Sequence, residues 1–363
     1  MKKVFIIRGA FLNPFELQNY YPLSEKFDIT AVASKFPISD KINLPLKKLW
    51  SPTDLPNFPF KYPILNRIFT DAHQLFGLEK TIAGADLVHV AETYYGYTHQ
   101  AVMAKRRGLI KRIISTVWEI IPHNNEGIRG RINFKRQARE NIDHFIAVTN
   151  LAKKALVKEG VSESKVSVIP VGLDLQKFRP AIGTKKGKTV NILCVARLVP
   201  EKGVEDLMKS FLKLSENNKH LHLTFIGDGP LRRDLSGFKN VHVKRVPYGQ
   251  IHREYQKADI FCLPSRSTKT WVEQYGMALI EAMACGLPVI TTSTGAIPEV
   301  CGEVALYSQP GNPRSLQTNL DKLIYNVELR RKMGREGRQR AVALYDHRHI
   351  ALRLRQLYRR ICL

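Results

Sequence analysis

The sequence predicts an α/β protein of two domains, each a doubly wound parallel sheet covered by helices on both faces. Apolar runs of strand length alternate with amphipathic stretches of helix length, and this alternation occurs in two successive series. A stretch rich in Pro, Gly and Lys and without apolar periodicity, FRPAIGTKKGKT, separates them. The first series is VFII, DITAVA, DLVHVA, RIISTV, HFIAV and VSVIPV; the second is VNILCVA, LHLTFIG, VHVKRV, DIFCLP, LPVITT and VALYS. The expected domains are residues 1–180 and 181–345, followed by a last helix over 346–363.

The 363-residue length suits two domains, and 44% hydrophobic with 25% charged residues gives each half enough apolar surface for its own core. Lys and Arg number 57 against 32 Asp and Glu, a formal +25. Such an excess favours anionic partners: nucleotide diphosphates, phospholipid headgroups or nucleic acid. It is concentrated in Lys105 to Arg139 and again in Arg330 to Leu363, where eleven Lys or Arg face Glu336 and Asp346. A solvated basic surface would show the same composition.

The five cysteines are scattered, with no pair at two-residue spacing, and read as buried reduced thiols rather than zinc ligands or a disulfide framework. Arg8 cuts the opening MKKVFII too early for a secretory h-region, so the segment reads as a first strand. No run approaches the roughly 20 apolar residues needed to span a bilayer, so the expectation is a cytoplasmic protein whose membrane contact is peripheral. Gly183, Gly187, Lys188 and Thr189 imitate a phosphate loop, but the spacing is one residue short and a strand follows where a helix should.

Doubly wound sheets bind ligands outside the carboxyl ends of their strands, and two such domains face each other across a cleft. The informative residues are therefore those just after the apolar runs. After VNILCVA come Arg197 and then Lys202, immediately before a helix that begins near Val204. Two cations beside a helix N-terminus favour a pyrophosphate, although an Arg and a Lys in a loop are commonly just surface. The next strand ends in Gly227, Asp228 and Gly229, which either admits a ligand close to the backbone or is simply a tight turn. After DIFCLPSRS lies Glu273, then Gly276, Met277 and Ala278, then Glu281 within the apolar LIEAMA. A carboxylate inside an apolar helix needs a partner, and a ligand hydroxyl would serve.

The segments VARLVPEKG, FIGDGP, ADIFCLPS, EQYGMALIEAMACGLPVI and GAIPEV, with VIPVGLDLQKFRP before them, resemble the retaining glycosyltransferases of family 4, which have the GT-B fold. The resemblance covers nearly all of residues 140 to 310. It implies that Arg197 and Lys202 hold the donor diphosphate and act catalytically with Glu273, which lies near the transferred sugar. It implies that Glu281 holds the ribose hydroxyls, that backbone N–H groups around Gly276, Met277 and Ala278 support the distal phosphate and sugar, and that Val246 and Pro247 line the base. The loop at Gly227 and Asp228 belongs to the same donor site. The final helix would cross back to brace the first domain; its Leu352, Leu354, Leu357 and Ile361 among arginines also suit a membrane surface.

The first half departs from the family. The usual Gly-Gly pair of the first loop is represented by Gly9 alone, and the histidine that commonly follows an N-domain strand is absent, with Glu119 or His123 as the candidate substitutes. No Asp-x-Asp pair occurs, so the expected chemistry needs no metal and no further cofactor. The expected donor is a UDP- or GDP-sugar, and the expected acceptor a lipid-linked saccharide, glycan or surface polymer at the inner membrane face. Two alternatives compete: a nucleic-acid-binding protein, suggested only by charge and lacking a recognisable binding element, and a nucleotide-sugar-binding protein without transferase activity.

Overall fold

A computed structural model describes residues 1–181 and 189–363, so the imitation phosphate loop, apart from Thr189, lies outside the described residues. The chain divides into two units, residues 1–172 with 347–363, and residues 173–346. Unit 1 holds β1 (Lys2–Gly9), β2 (Phe27–Ser34), β3 (Leu46–Leu49), β4 (Leu87–Ala91), β5 (Arg112–Val117), β6 (His144–Ala147) and β7 (Val166–Val168). They form a seven-stranded sheet in the order β3-β2-β1-β4-β5-β6-β7. Unit 2 holds β8 (Val190–Val195), β9 (Leu221–Ile226), β10 (Val241–Lys244), β11 (Ile260–Leu263), β12 (Val289–Thr292) and β13 (Ala305–Ser308), ordered β10-β9-β8-β11-β12-β13. Every ladder in both sheets is parallel.

All twelve predicted strands are present, and β3 is an addition. Its sequence LKKL is a half-exposed edge strand, and lysines at a sheet edge discourage pairing with other chains rather than signalling a core. The central strands β1, β4, β5, β11 and β12 are apolar and buried along nearly their whole length, as parallel sheets require. The helix Val204–Ser215 shows the complementary pattern, burying Val204, Leu207, Met208, Phe211 and Leu214 at helical spacing.

Unit 2 begins at Leu173, ahead of the junction expected near Pro180. The reason is the apolar segment GLDLQKF: Leu173, Leu175 and Phe178 are buried, and the Arg338 guanidinium donates to the carbonyl of Phe178 at 2.9 Å. The last helix, His347–Cys362, belongs to unit 1, where Ile350, Ala351, Leu354, Leu357 and Tyr358 join a core with Phe27, Ile29 and Leu87. Its apolar face is thus covered by protein, with Leu352 left outside.

Arg8 is 1% exposed in the middle of that core. Its Nε donates to Glu16 Oε1 at 2.6 Å, and its terminal nitrogens donate to the Ile7 carbonyl at 2.9 Å and to Tyr20 Oη at 3.0 Å. His89 beside it bonds Tyr358 Oη at 2.6 Å through Nδ1 and Thr116 Oγ1 at 2.7 Å through Nε2. Burial holds His89 well below its ordinary pKa, so the ring is neutral. This network fastens the last helix to the sheet. Arg8→Ala strands a buried carboxylate and should cost about 3–5 kcal/mol of unfolding free energy, read by denaturant titration; a loss below about 1 kcal/mol would contradict the account.

Four of the five cysteines, Cys194, Cys262, Cys285 and Cys301, are buried free thiols, and burial pushes the Cys194 thiol up to about 12. They are inert core residues.

Candidate active site

Renumbered within unit 2, the strand order is 3-2-1-4-5-6, and the order reverses between β8 and β11. The crevice outside the carboxyl ends of those two strands is the ligand position of such sheets. The sequence puts Arg197 and Lys202 in the loop after β8 and Glu273 in the loop after β11, so the topology brings two distant segments to one place. The loops are in close contact: a Cβ on Gly203, at φ +66°, would lie 2.0 Å from the Pro264 carbonyl oxygen, and the Arg266 N–H donates to the Glu201 carbonyl at 2.8 Å. Only glycine fits there.

The centre of the site is the pair Lys202 and Glu273. Lys202 Nζ donates to Glu273 Oε2 at 2.6 Å and lies 4.7 Å from the centroid of the Trp271 ring. Ser265 Oγ donates to the same carboxylate oxygen at 3.0 Å. Both charged side chains are largely shielded, which strengthens the pairing relative to a surface ion pair. The backbone of Glu273 is gripped from a third loop: the Ala296 N–H donates to its carbonyl at 2.8 Å. Lys202 has three N–H donors and places one on Glu273, so an anion in the crevice meets an ammonium whose direction is already set.

Arg197 differs. Its side chain is 62% exposed and its guanidinium is 3.8 Å from Glu201 Oε1, a loose contact compatible with reorientation onto a ligand. Gly227 lies against the same loop, where a Cβ would fall 1.8 Å from the Ala196 carbonyl oxygen, and φ is +153°. Asp228 holds Arg245 at 2.6 Å on the surface, and its carbonyl accepts from the Leu198 N–H at 2.8 Å. Val246 is half-buried and Pro247 exposed at the start of the helix Tyr248–Lys257.

Gly276 caps the helix Met277–Ala284, with Met277 and Ala278 in its first turn and partly accessible. First-turn N–H groups have no partner within their own helix and favour an anion. Glu281, about one turn further along, is buried and forms a second group. Tyr255 Oη donates to its Oε2 at 2.7 Å, and Tyr248 from the same helix also stabilises the charge. Burial pushes the Glu281 carboxyl up to about 7. The partner this buried acid requires is therefore supplied by a tyrosine, and a ligand hydroxyl would add to that bond rather than replace it.

In unit 1 the order reverses between β1 and β4. Gly9 closes β1 and packs against Tyr97. Glu119 caps its own loop, accepting from the Ile120 and Ile121 N–H groups at 3.0 and 2.9 Å and from Asn124 Nδ2 at 2.7 Å. His123, at φ +61°, is exposed, with Nδ1 3.2 Å from Glu126 Oε1. Both belong to the loop after β5, but their side chains turn to different partners.

Sequence reasoning overlooked Trp271, Ser265 and the two tyrosines. Tyr248 and Tyr255 are seven residues apart on one helix and so share a face, a signal that was available; Trp271 in an irregular loop gave none. Glu92, after β4, was overlooked as well. It is buried at φ +57°, accepts from the Trp118 N–H at 2.8 Å, and is pushed by burial up to about 8.

Two parallel-sheet, Rossmann-like domains in one chain make up the GT-B fold. The chain belongs to the group 1, family 4 glycosyltransferases: residues 176–340 match the family Glycosyl transferases group 1, and residues 26–177 match Glycosyltransferase Family 4. An uncharacterised glycosyltransferase of Methanocaldococcus jannaschii is 29% identical over 271 residues, 70% of each chain. A GDP-mannose-dependent monoacylated α-(1-6)-phosphatidylinositol monomannoside mannosyltransferase of Corynebacterium glutamicum is 27% identical over 260 residues, 65% of this chain and 66% of that one. Other relatives are matched over little more than half their length, 57% and 51%. Among solved structures, Anabaena HepE in complex with UDP and glucose superposes with a TM-score of 0.76 over 99% of both chains at 16% identity, which establishes likeness of fold.

Proposed function

We propose that the protein transfers a hexose from a UDP- or GDP-sugar to a lipid-linked or glycan acceptor, with retention of anomeric configuration and without a metal. The observation that carries this reading is the Lys202–Glu273 pair, fixed at 2.6 Å at the switch point of the unit 2 sheet. The reaction balances as follows: the anomeric carbon loses its bond to the diphosphate oxygen and gains one to the acceptor oxygen, and the acceptor hydroxyl passes its proton to the departing diphosphate. Negative charge grows on the departing diphosphate. Lys202 and Arg197 receive it, the first oriented in advance and the second swinging from Glu201. The first-turn N–H groups at Met277 and Ala278 support the distal phosphate, Glu281 accepts from the ribose, and Val246 and Pro247 lie beside the base.

The proposed reaction needs no metal because the protein's own cations, Arg197 and Lys202, take up the charge on the diphosphate. The proposed acceptor class is supported by relatives whose names specify phosphatidylinositol glycosylation. No helix among the described residues is long and apolar enough to cross a membrane; the proposed location is the cytoplasmic membrane face, reached by peripheral contact with the lipid-linked acceptor.

The test is a screen of nucleotide sugars for slow donor hydrolysis, run with and without a chelator and followed by NMR of the released sugar. The expected result is turnover of one UDP- or GDP-sugar, unchanged by the chelator and first releasing the anomer of the donor. Turnover restored only by a divalent ion, or the opposite anomer appearing first, would overturn the corresponding part. Calorimetry with UDP, GDP and a DNA duplex separates this reading from nucleic-acid binding, which would appear as DNA affinity with a steep salt slope.

A further inference from the structure

Much of the strongest excess of charge is taken up in ion pairs. In the segment Lys105 to Arg139, Lys105 pairs with Asp143 at 2.6 Å, Arg131 with Asp71 at 2.6 Å and Lys135 with Glu159 at 2.7 Å. The last helix, equally basic, turns its apolar face into unit 1. The surface that combines uncovered apolar groups with cations is built mainly from residues 36–76 of that unit, joined by Arg129 of the first basic segment.

Of the 22 large apolar side chains exposed among the described residues, ten lie between Phe36 and Phe76. Phe36 is 75% exposed, Phe60 76% and Ile68 65%. These segments form one surface. The Phe36 N–H donates to Asp54 Oδ1 at 2.9 Å, the Phe76 N–H to the Trp50 carbonyl at 2.9 Å, and the Trp50 and Phe76 rings stand 5.0 Å apart. Lys61 Nζ reaches back to the Thr53 carbonyl at 2.8 Å.

The arrangement inverts the usual partition of residues. Lys61 is 8% exposed and its neighbour Phe60 is 76% exposed; polar groups tie the segments together internally while Phe58, Phe60, Ile64 and Ile68 point outward. An exposed Phe or Ile alone would mean nothing, but a contiguous apolar patch marks an interaction site. The run from Leu55 to Phe69 contains no acid and carries Lys61 and Arg67. Alongside it, a groove of about 640 Å³ is lined by Tyr62, Asn66 and Arg67 from the helix Lys61–Phe69 and by Gly127, Ile128 and Arg129 from a neighbouring loop.

We propose that this Phe36–Phe76 face of unit 1 docks on an anionic lipid bilayer, with Phe58, Phe60, Ile64 and Ile68 entering the headgroup boundary and Arg67 and Arg129 on lipid phosphates. Exposed aliphatic and aromatic side chains with arginines beside them are the composition of an interfacial membrane element. A second copy of the chain fits poorly: paired face to face, each copy would present the same uncompensated arginines to the other, on molecules of formal charge +25. The inference rests on the transferase reading only for its meaning, since docking would bring unit 1 to a lipid-linked acceptor.

Flotation of the full chain tests it, with vesicles of phosphatidylcholine alone and with about one third phosphatidylglycerol, at low and high salt. The expected result is co-flotation with the anionic vesicles, weakened by salt. The triple variant F60S/I64S/I68S should lower partition by at least about tenfold, and R67E/R129E should abolish the preference for phosphatidylglycerol; both keep the wild-type melting temperature, because these side chains are exposed. Wild-type protein that stays unbound, a triple variant that floats like wild type, or a triple variant whose change is confined to oligomeric state in sedimentation would overturn the proposal. Donor hydrolysis without vesicles is the separate readout. Hydrolysis without flotation rejects the docking face and spares the transferase reading; flotation without hydrolysis does the reverse.

Discussion

Lys202→Met should lower turnover of the donor by about two orders of magnitude or more, the loss that follows removal of one preorganised group from a developing negative charge. Methionine keeps the length and most of the volume of the lysine, so the site is not emptied. The substitution has a second effect, because Glu273 is then left with Ser265 as its polar partner and sits almost wholly shielded. An uncompensated buried carboxylate costs about 3 kcal/mol, so the variant should also melt earlier. The two effects can be separated by adding Glu273→Gln. The double variant removes both charges, recovers most of the lost stability and remains inactive. Lys202→Arg restores the charge and the pairing and should recover part of the rate. Donor hydrolysis at the wild-type rate in soluble Lys202→Met would show that the ammonium is a structural partner of Glu273 and nothing more.

The legible parts of this molecule are those in which a local rule and the global fold coincide. VNILCV and RIISTV are central parallel strands, buried on both faces, and each reads as such without context. The switch point followed from the same runs, so Arg197, Lys202 and Glu273 could be assigned to one end of a sheet before their distances were known. β3 was not legible, since LKKL has the composition of a surface turn and becomes a strand only beside β2. Arg8 was read as an interruption of an apolar run, whereas the fold buries it by providing Glu16 and Tyr20. In both cases the deciding partner is distant in sequence or brought by another element. The same holds for Glu281: the sequence shows a buried acid in need of a partner, but not that Tyr255, on a separate helix, already meets that need.

The helix position of Glu281 makes its effects on affinity and on stability opposite in sign. An ordinary glutamate titrates near 4.3 in the unfolded chain, and burial moves this one to about 7 in the folded protein. Between those values the folded state holds a proton that the unfolded chain has released. Stability therefore falls as pH rises across that window and levels off above about 7, with a total loss of about 3–4 kcal/mol from this group. Glu281→Gln removes the titration while keeping an oxygen that can accept from Tyr255, so the variant should be more stable than wild type at pH 8 and nearly equal to it at pH 5. Its affinity for the cognate nucleoside diphosphate should nevertheless fall about 10- to 100-fold, because hydroxyl bonds to a charged acceptor are worth about 1.5–3 kcal/mol and a neutral amide gives less. In the wild type, a ribose hydroxyl donating to Glu281 favours the ionised form. Nucleotide binding near pH 7 should therefore release a proton, visible as a dependence of the calorimetric enthalpy on the buffer, and the release should vanish in Glu281→Gln. A variant that gains stability at pH 8 yet binds the nucleotide as tightly as wild type would confine Glu281 to its bond with Tyr255 and remove it from the donor site.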